Sequence, residues 1–301
     1  MIKEIPFTFR TYCPPAPAIE HVGRNYQRFP GAGYVLPSDE LERDRLLLQH
    51  NLLKRNFNNT NLIFPYNPLK AYTVLDSGTG AGVWLLDVAK DISPTSMLQG
   101  VDIEDGLFPQ QNVSSNMSFL VASVTSLPPK WSGLFDIIHQ RLLRAALTES
   151  EWVAAVKEFN RVLQPGGWVQ LAEPGHWTAG PATERWQELV DRLLQFRGFP
   201  VDIQELLPGL LRRCGFTGVH IERRSLMAGK WDGAHGCEVR DNFMGVYRGM
   251  KTPLLKLGCF GILSSEQELD NLYDAVEKEW DEMEGCSLTF LIVIGQKHAD
   301  L

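Results

Sequence analysis

The stretch Thr73-Val74-Leu75-Asp76-Ser77-Gly78-Thr79-Gly80-Ala81-Gly82-Val83-Trp84 constrains the fold more than any other part of the chain. An apolar, β-branched run ends in an acid, glycines recur at every second position, and an apolar segment of helical character follows. This is the pattern of a strand, a tight turn and a helix whose first backbone N–H groups are left open to a ligand. Glycine tolerates positive φ and lets a ligand approach the backbone without meeting a Cβ. The spacing is G-x-G-x-G, because Val occupies position 83, and it departs from the G-x-G-x-x-G of dinucleotide sites.

Around that turn the sequence supplies an ordered set of further elements. Asp39 and Glu42 have capping-box character, and Leu41, Leu48 and Leu52 stripe a helix over 39–54. A helix over 82–92 follows the glycine turn and ends at Ser93-Pro94. Strands are expected at 97–103, 117–122 and 135–139. Thr148 and Glu151 form a second capping box, ahead of a helix over 149–163 that buries Trp152, Val156, Phe159 and Leu163. Gln164-Pro165-Gly166-Gly167 stops that helix, and a strand runs over 168–173.

Helices follow over 182–196, with Trp186, Leu189, Leu193 and Phe196 inward, and over 203–213, capped by Asp202 and Glu205. A strand near 218–224, helices near 238–249 and 266–283, and a final strand over 287–295 complete the chain. That last run is almost continuously apolar, as in a strand buried on both faces. Such an order gives right-handed parallel crossovers, and ligands of parallel sheets bind beyond the carboxyl ends of the strands. Asp76, Asp102, Ser123, His139 and Glu173 all fall at strand ends. Asp102 lies 20 residues beyond Gly82, where an acid accepts hydrogen bonds from ribose hydroxyls.

Composition narrows the classes of function. The 301 residues are 44% hydrophobic and 22% charged with a net charge of −7, which disfavours a phosphate-tracking nucleic-acid binder. No apolar run approaches the roughly 20 residues of a membrane span, and the first residues lack the apolar core of a secretory signal. The five cysteines are scattered without a C-x-x-C pair, so reduced thiols in a cytoplasmic or nuclear protein are expected and a metal site is not.

The acid-then-glycine turn resembles motif I of the class I S-adenosylmethionine (SAM) methyltransferases. The resemblance extends through Tyr34-x-Leu36-Pro37-x-Asp39-Glu40 with Arg45 and Gln49-His50, Gly100-Val101-Asp102, Phe135-Asp136-x-Ile138-His139-x-Arg141, Leu163-x-Pro165-Gly166-Gly167-Trp168 and Cys214-Gly215-Phe216. In that order these motifs resemble the fungal class I methyltransferases related to the velvet-complex regulator of secondary metabolism, from about residue 34 onward. The resemblance implies a Rossmann-like α/β fold with a seven-stranded, mostly parallel sheet whose last strand is antiparallel. It divides the chain into an N-terminal cap segment and linker (1–70) and a methyltransferase domain (71–301) carrying a helical lid over about 180–285.

The resemblance further implies SAM as cofactor, with S-adenosylhomocysteine as its product. Asp76, Gly78 and Gly80 hold the methionine part, Asp102 with Ile103 the ribose, and Ser123 and Val124 face the adenine. His139 and Gln140 line the floor, and Tyr34 reaches the cofactor from the cap. The chain departs from the family at Ala122-Ser123, where Asp-Asp is common, and at Ser77, where the family has an apolar residue.

Candidates for a general base are His139, Glu173 and His176, with His235 behind them. Trp177, Trp186, Trp231, Phe243 and Tyr247 are candidates for an aromatic chamber that suits a small-molecule acceptor. Methyl transfer to O or N of a secondary metabolite is the leading function. A regulatory SAM-binding protein working through partners and a SAM-assisted rearrangement enzyme are the alternatives.

Overall fold

The computed structural model describes residues 40–111 and 113–299. Asp39 and Tyr34 lie outside the described residues, as does the whole stretch 1–39 of the expected cap segment and linker (1–70). Seven strands form one sheet: β1 (Thr73–Ser77), β2 (Met97–Asp102), β3 (Met117–Val121), β4 (Phe135–Arg141), β5 (Leu163–Thr178), β6 (Phe216–Met227) and β7 (Ser287–Lys297). Their order is β3-β2-β1-β4-β5-β7-β6. Pairings are parallel from β3 through β5, and β7 runs antiparallel to both its neighbours, β5 and β6. This is the expected Rossmann-like sheet.

The helices are α1 (Glu40–Asn56), α2 (Val83–Val88), α3 (Glu149–Val162), α4 (Pro181–Arg197), α5 (Ile203–Arg213), α6 (Gly233–Gly249), α7 (Lys251–Lys256) and α8 (Glu266–Glu282). Consecutive side chains of a strand point to opposite faces, and that alternation divides the core in two. Val74, Ile137, Phe290 and Ile292 join one apolar cluster with residues of α1, α2, α4, α6, α7 and α8. Leu75, Ile138, Leu291 and Val293 join the other, with residues of α3 and α5. Both faces are therefore covered, which is why β7 reads as unbroken apolar sequence.

Local chemistry sets the helix starts. Thr148 Oγ1 accepts the Glu151 N–H and the Thr148 N–H donates back to the Glu151 carboxylate, completing the expected capping box of α3. Asp202 and Ser265 cap α5 and α8 through the Glu205 and Glu268 N–H groups.

Several boundaries differ from expectation. Helix α2 ends at Val88, and Gln164–Gly167 belongs to β5 as an irregularity between the pairs Leu163–Phe135 and Trp168–Ile137. Helix α6 begins at Gly233, α7 is unforeseen, and Phe196 is 62% exposed, where it meets Phe260 edge-on. Residues 180–285 do not form one separate lid: β6 completes the sheet and α5 packs on its second face, while α4 and α6–α8 pack on the first.

Candidate functional site

Three glycines with positive φ, Gly78 (68°), Gly80 (52°) and Gly82 (68°), carry the chain from β1 into α2. A Cβ on Gly78 would come within 2.8 Å of the Leu143 side chain and one on Gly82 within 2.9 Å of Phe119, so larger residues are excluded there. The loop is fixed from below. Asp76, almost fully buried at the end of β1, accepts Thr79 Oγ1–H at 2.6 Å and faces His139 Nδ1 at 2.8 Å. Trp84 stacks on the His139 ring with centroids 3.8 Å apart. Burial lowers the His139 pKa against the pull of Asp76, which leaves a neutral imidazole donating its Nδ1–H to the carboxylate.

Asp102 stands at the end of β2 beside the loop. Its carboxylate accepts the Gly80 N–H at 2.8 Å and the Glu104 N–H at 3.2 Å. Burial pushes its pKa up to about 6 despite those bonds. Ile103 follows Asp102 directly. Beyond β3, Ser123 Oγ bonds Thr125 Oγ1 at 2.8 Å, and the Val124 side chain is buried in the second core cluster. Ser77 Oγ donates to Gln140 Oε1 at 2.9 Å between neighbouring strands. The Gln140 Nε2 is buried with no hydrogen-bond partner among the described residues.

A larger cavity opens next to this loop, with about 940 Å³ of empty space that is partly open to solvent. Its aromatic wall is Trp177, Trp186, Phe243 and Tyr247, and its polar wall includes Glu173, His176, Arg144, Asp191, Arg45 and Gln49. Trp177 stands edge-on to Phe243 at 5.6 Å and stacks on Trp280 at 4.0 Å. Glu173 is fully buried at the end of the central part of β5. Its two oxygens accept the Leu143 N–H at 2.8 Å and the Arg144 N–H at 3.2 Å. Burial drives its pKa up to about 8, against those amides and the Arg144 guanidinium.

The turn 142–144, in which Leu142 has a φ of 60°, therefore touches both halves of the site. Leu143 covers Gly78, while Leu142 and Arg144 line the cavity.

The structure gathers Glu173, His176, Trp177, Phe243 and Tyr247 at this cavity, with His176 half exposed and 3.9 Å from Asp202. It does not bring Trp231 there. That indole sits in a 3₁₀ turn and donates Nε1–H to Ala228 O at 3.0 Å. His139 is likewise absent from the larger cavity. It is sealed under Trp84 and borders a smaller cavity with His50, Lys54, Asn61, Arg141 and Gln170. His235, at the start of α6, lines neither cavity.

Arg144 and Asp191 escape a reading of the sequence, and Arg45 and Gln49, which belong to the family motifs, are given no place in the cavity by it. The i,i+4 spacing of Arg45 and Gln49 on α1 was a usable signal. The turn that presents Arg144 depends on a left-handed leucine that sequence does not announce. Among the described residues no cluster of three or more His, Cys, Asp or Glu side chains is arranged to hold a metal. No helix among them is long and apolar enough to cross a membrane.

A family model described as a methyltransferase domain matches residues 74–167. The N-methyltransferase sirN of Leptosphaeria maculans is 31% identical over 282 residues, covering 90% of this chain and 96% of sirN. The N-methyltransferase verN of Clonostachys rogersoniana is 30% identical over 202 residues, covering 65% of this chain and 70% of verN. The N-methyltransferase tcpN of Claviceps purpurea is 28% identical over 258 residues, with 80% and 89% covered.

Proposed function

This chain is a SAM-dependent methyltransferase belonging to the fungal family that includes the N-methyltransferases sirN and verN, and on that premise we propose that it methylates a nitrogen of a small secondary metabolite. The observation that carries the reading is the shared turn 142–144, which joins the glycine loop to an aromatic cavity with a few polar groups on its wall. The motif order supports a place near the velvet-complex regulator within the wider family. Helices α1, α4 and α6–α8 are proposed as the lid over the acceptor.

The residues present fit the cofactor. Gly78, Gly80 and Gly82 form a cradle in which a Cβ at Gly78 or Gly82 would collide with its surroundings. Gln140 Nε2 is an orphaned buried donor at the same strand ends. Asp102 is assigned to the ribose, since its carboxylate stands beside the glycine loop and retains acceptor capacity beyond its backbone amides. Ile103 and the 123–124 turn are assigned to the adenosine side, with Gly78, Gly80 and Gln140 towards the methionine side. Asp76 and His139 act through the loop: the neutral imidazole holds the carboxylate that holds Thr79.

Bound SAM supplies a methyl group made electrophilic by its sulfonium. The chain must then orient an acceptor nitrogen and exclude water. The aromatic wall does the second. A neutral amine attacks without prior deprotonation and sheds a proton afterwards. We assign Glu173 to receive that proton, because it lines the cavity and its burial shifts it towards neutral pH. His176, at the half-exposed rim, is assigned to passing it to solvent.

Thermal shift with SAM, S-adenosylhomocysteine and NAD tests the reading. Both adenosyl ligands are expected to stabilise the chain and NAD is not; no response to either adenosyl ligand rejects it. Asp102→Ala is expected to weaken S-adenosylhomocysteine by roughly tenfold or more, about 1.4 kcal/mol. Unchanged affinity removes the ribose assignment.

A further inference from the structure

Gln49, on α1, is a buried polar side chain in the wall of the large cavity. It is 4% exposed, and its carboxamide has no hydrogen-bond partner among the described residues. The amide is not sealed in protein, as Gln140 Nε2 and Asn242 Nδ2 are, and it borders the cavity. A buried amide that bonds nothing forfeits several hydrogen bonds, so the position calls for a partner that arrives with a ligand. Other polar groups of the wall are committed. Arg45 is held by the Glu42 carboxylate and by Asn242 Oδ1 at 3.2 Å. Arg144 donates to Val201 O at 2.6 Å and to Pro200 O at 3.4 Å, and Glu173 accepts two backbone amides.

Gln49 also stands where the two halves of the site meet. One turn earlier on the same helix face, Leu46 comes within 3.5 Å of the place a Cβ on Gly80 would take. Leu46 lines the large cavity as well, and so does Leu142, whose neighbour Leu143 covers Gly78. The glycine loop is assigned to the methyl donor and the cavity to the acceptor. A methyl group passing from one to the other therefore crosses the space beside Gln49.

We infer that the Gln49 carboxamide oxygen accepts an N–H of the acceptor nitrogen and so turns the nitrogen lone pair towards the methyl group. The inference rests on the proposed reading of the chain as an N-methyltransferase, and it makes Gln49 a catalytic residue that carries no proton. As the lone pair forms the new N–C bond, the C–S bond breaks and its electrons stay on sulfur, which becomes neutral. Positive charge passes to the nitrogen, so the N–H···Oε1 bond strengthens in the transition state. The proton is shed afterwards on the Glu173 side of the chamber. A carboxamide suits this task better than a carboxylate. It has no charge with which to hold an amine protonated, and a protonated amine has no lone pair with which to attack.

Sinefungin tests the inference without the acceptor. It keeps the adenosine and amino-acid parts of SAM, but a carbon bearing an amino group replaces the methylsulfonium, so an N–H is presented close to where the acceptor nitrogen stands. S-adenosylhomocysteine lacks that group, and calorimetry on the full chain gives both affinities. Sinefungin is expected to bind roughly tenfold tighter than S-adenosylhomocysteine. Gln49→Leu is expected to reduce that preference to about twofold or less while S-adenosylhomocysteine affinity holds, and Gln49→Glu to enlarge it. Equal binding of the two ligands by the wild type overturns the inference. So does a preference that survives in Gln49→Leu, which would put water or another group at that nitrogen. A parallel loss of both ligands in the two variants also overturns it, by placing the amide against the shared part of the ligand or in the packing of α1. Failure of the wild type to bind S-adenosylhomocysteine rejects the methyltransferase reading; its binding without a Gln49-dependent preference for sinefungin rejects this inference alone.

Discussion

Glu173 links the chemistry of the site to the stability of the molecule at the scale of one side chain. Its folded pKa of about 8 lies above the ordinary 4.5, so between those values the folded state holds a proton that the unfolded state has released. Folding stability therefore falls as pH rises from 4.5 towards 8, by up to about 1.4 kcal/mol per pH unit, and levels off above. Glu173→Gln is expected to remove that slope and to raise the melting temperature most at and above pH 8. If Glu173 receives the acceptor proton, wild-type turnover rises with pH through about 8 and the Gln variant loses that limb. Chemical denaturation and turnover profiles across pH measure the two separately. A variant that keeps the wild-type turnover limb removes Glu173 from the proton's path. The acid at a strand end was visible in sequence; its capture by two amides of a left-handed leucine turn was not.

Among the elements, α1 is tied to α2 through one carboxylate. Asp87 on α2 accepts from His50 Nε2 at 3.0 Å and Asn61 Nδ2 at 3.0 Å, and from Lys54 Nζ at 2.5 Å. Burial raises the Asp87 pKa, but these hydrogen bonds outweigh it and hold the group well below the usual carboxylate range. His50 is driven down to about 4 by burial and by Arg141, so it stays neutral, accepting from Arg141 on Nδ1 and donating to Asp87 from Nε2. The same helix carries Arg45, Leu46 and Gln49 into the cavity wall. Asp87→Asn is expected to cost about 2–4 kcal/mol, by leaving donors without their charged partner. It should also speed amide exchange over 40–56 more than over the sheet. Exchange that rises uniformly would show that α1 is held by its apolar stripe and not by Asp87. Helix α1 announces itself by its leucine spacing, but its partner Asp87 lies 37 residues beyond His50 and no local pattern pairs them.

For the whole molecule, the sheet was the most legible part, because its strands are apolar runs bounded by glycine, proline and acids, and both faces are covered. The helical half was less so. Trp231, Trp186 and Trp177 look alike in sequence, yet one indole closes a 3₁₀ turn, one is fully buried against Tyr247 and Tyr273, and one donates to Tyr247. Their difference is set by how α4, α6 and α8 pack together, which helical spacing does not encode. Phe196 likewise keeps helical spacing but faces outward. Ligand linkage acts at this scale too: a cofactor present at 100 times its dissociation constant adds about 2.7 kcal/mol to global stability.

The inward position of β7 has a consequence for synthesis. The ribosome makes β5 first and β6 next, yet these strands never pair with each other. Both wait for β7, which leaves the exit tunnel only after α6, α7 and α8 have been made. During that interval β6 has no strand partner, and β5 presents an unpaired edge on the side that β7 will occupy. A nascent chain arrested after residue 286 should be cleaved readily by protease within residues 216–227, and one extended through residue 297 and clear of the tunnel should resist. The sheet is thus closed by the insertion of an apolar strand into a waiting slot, and until then β5 and β6 have no strand to join them.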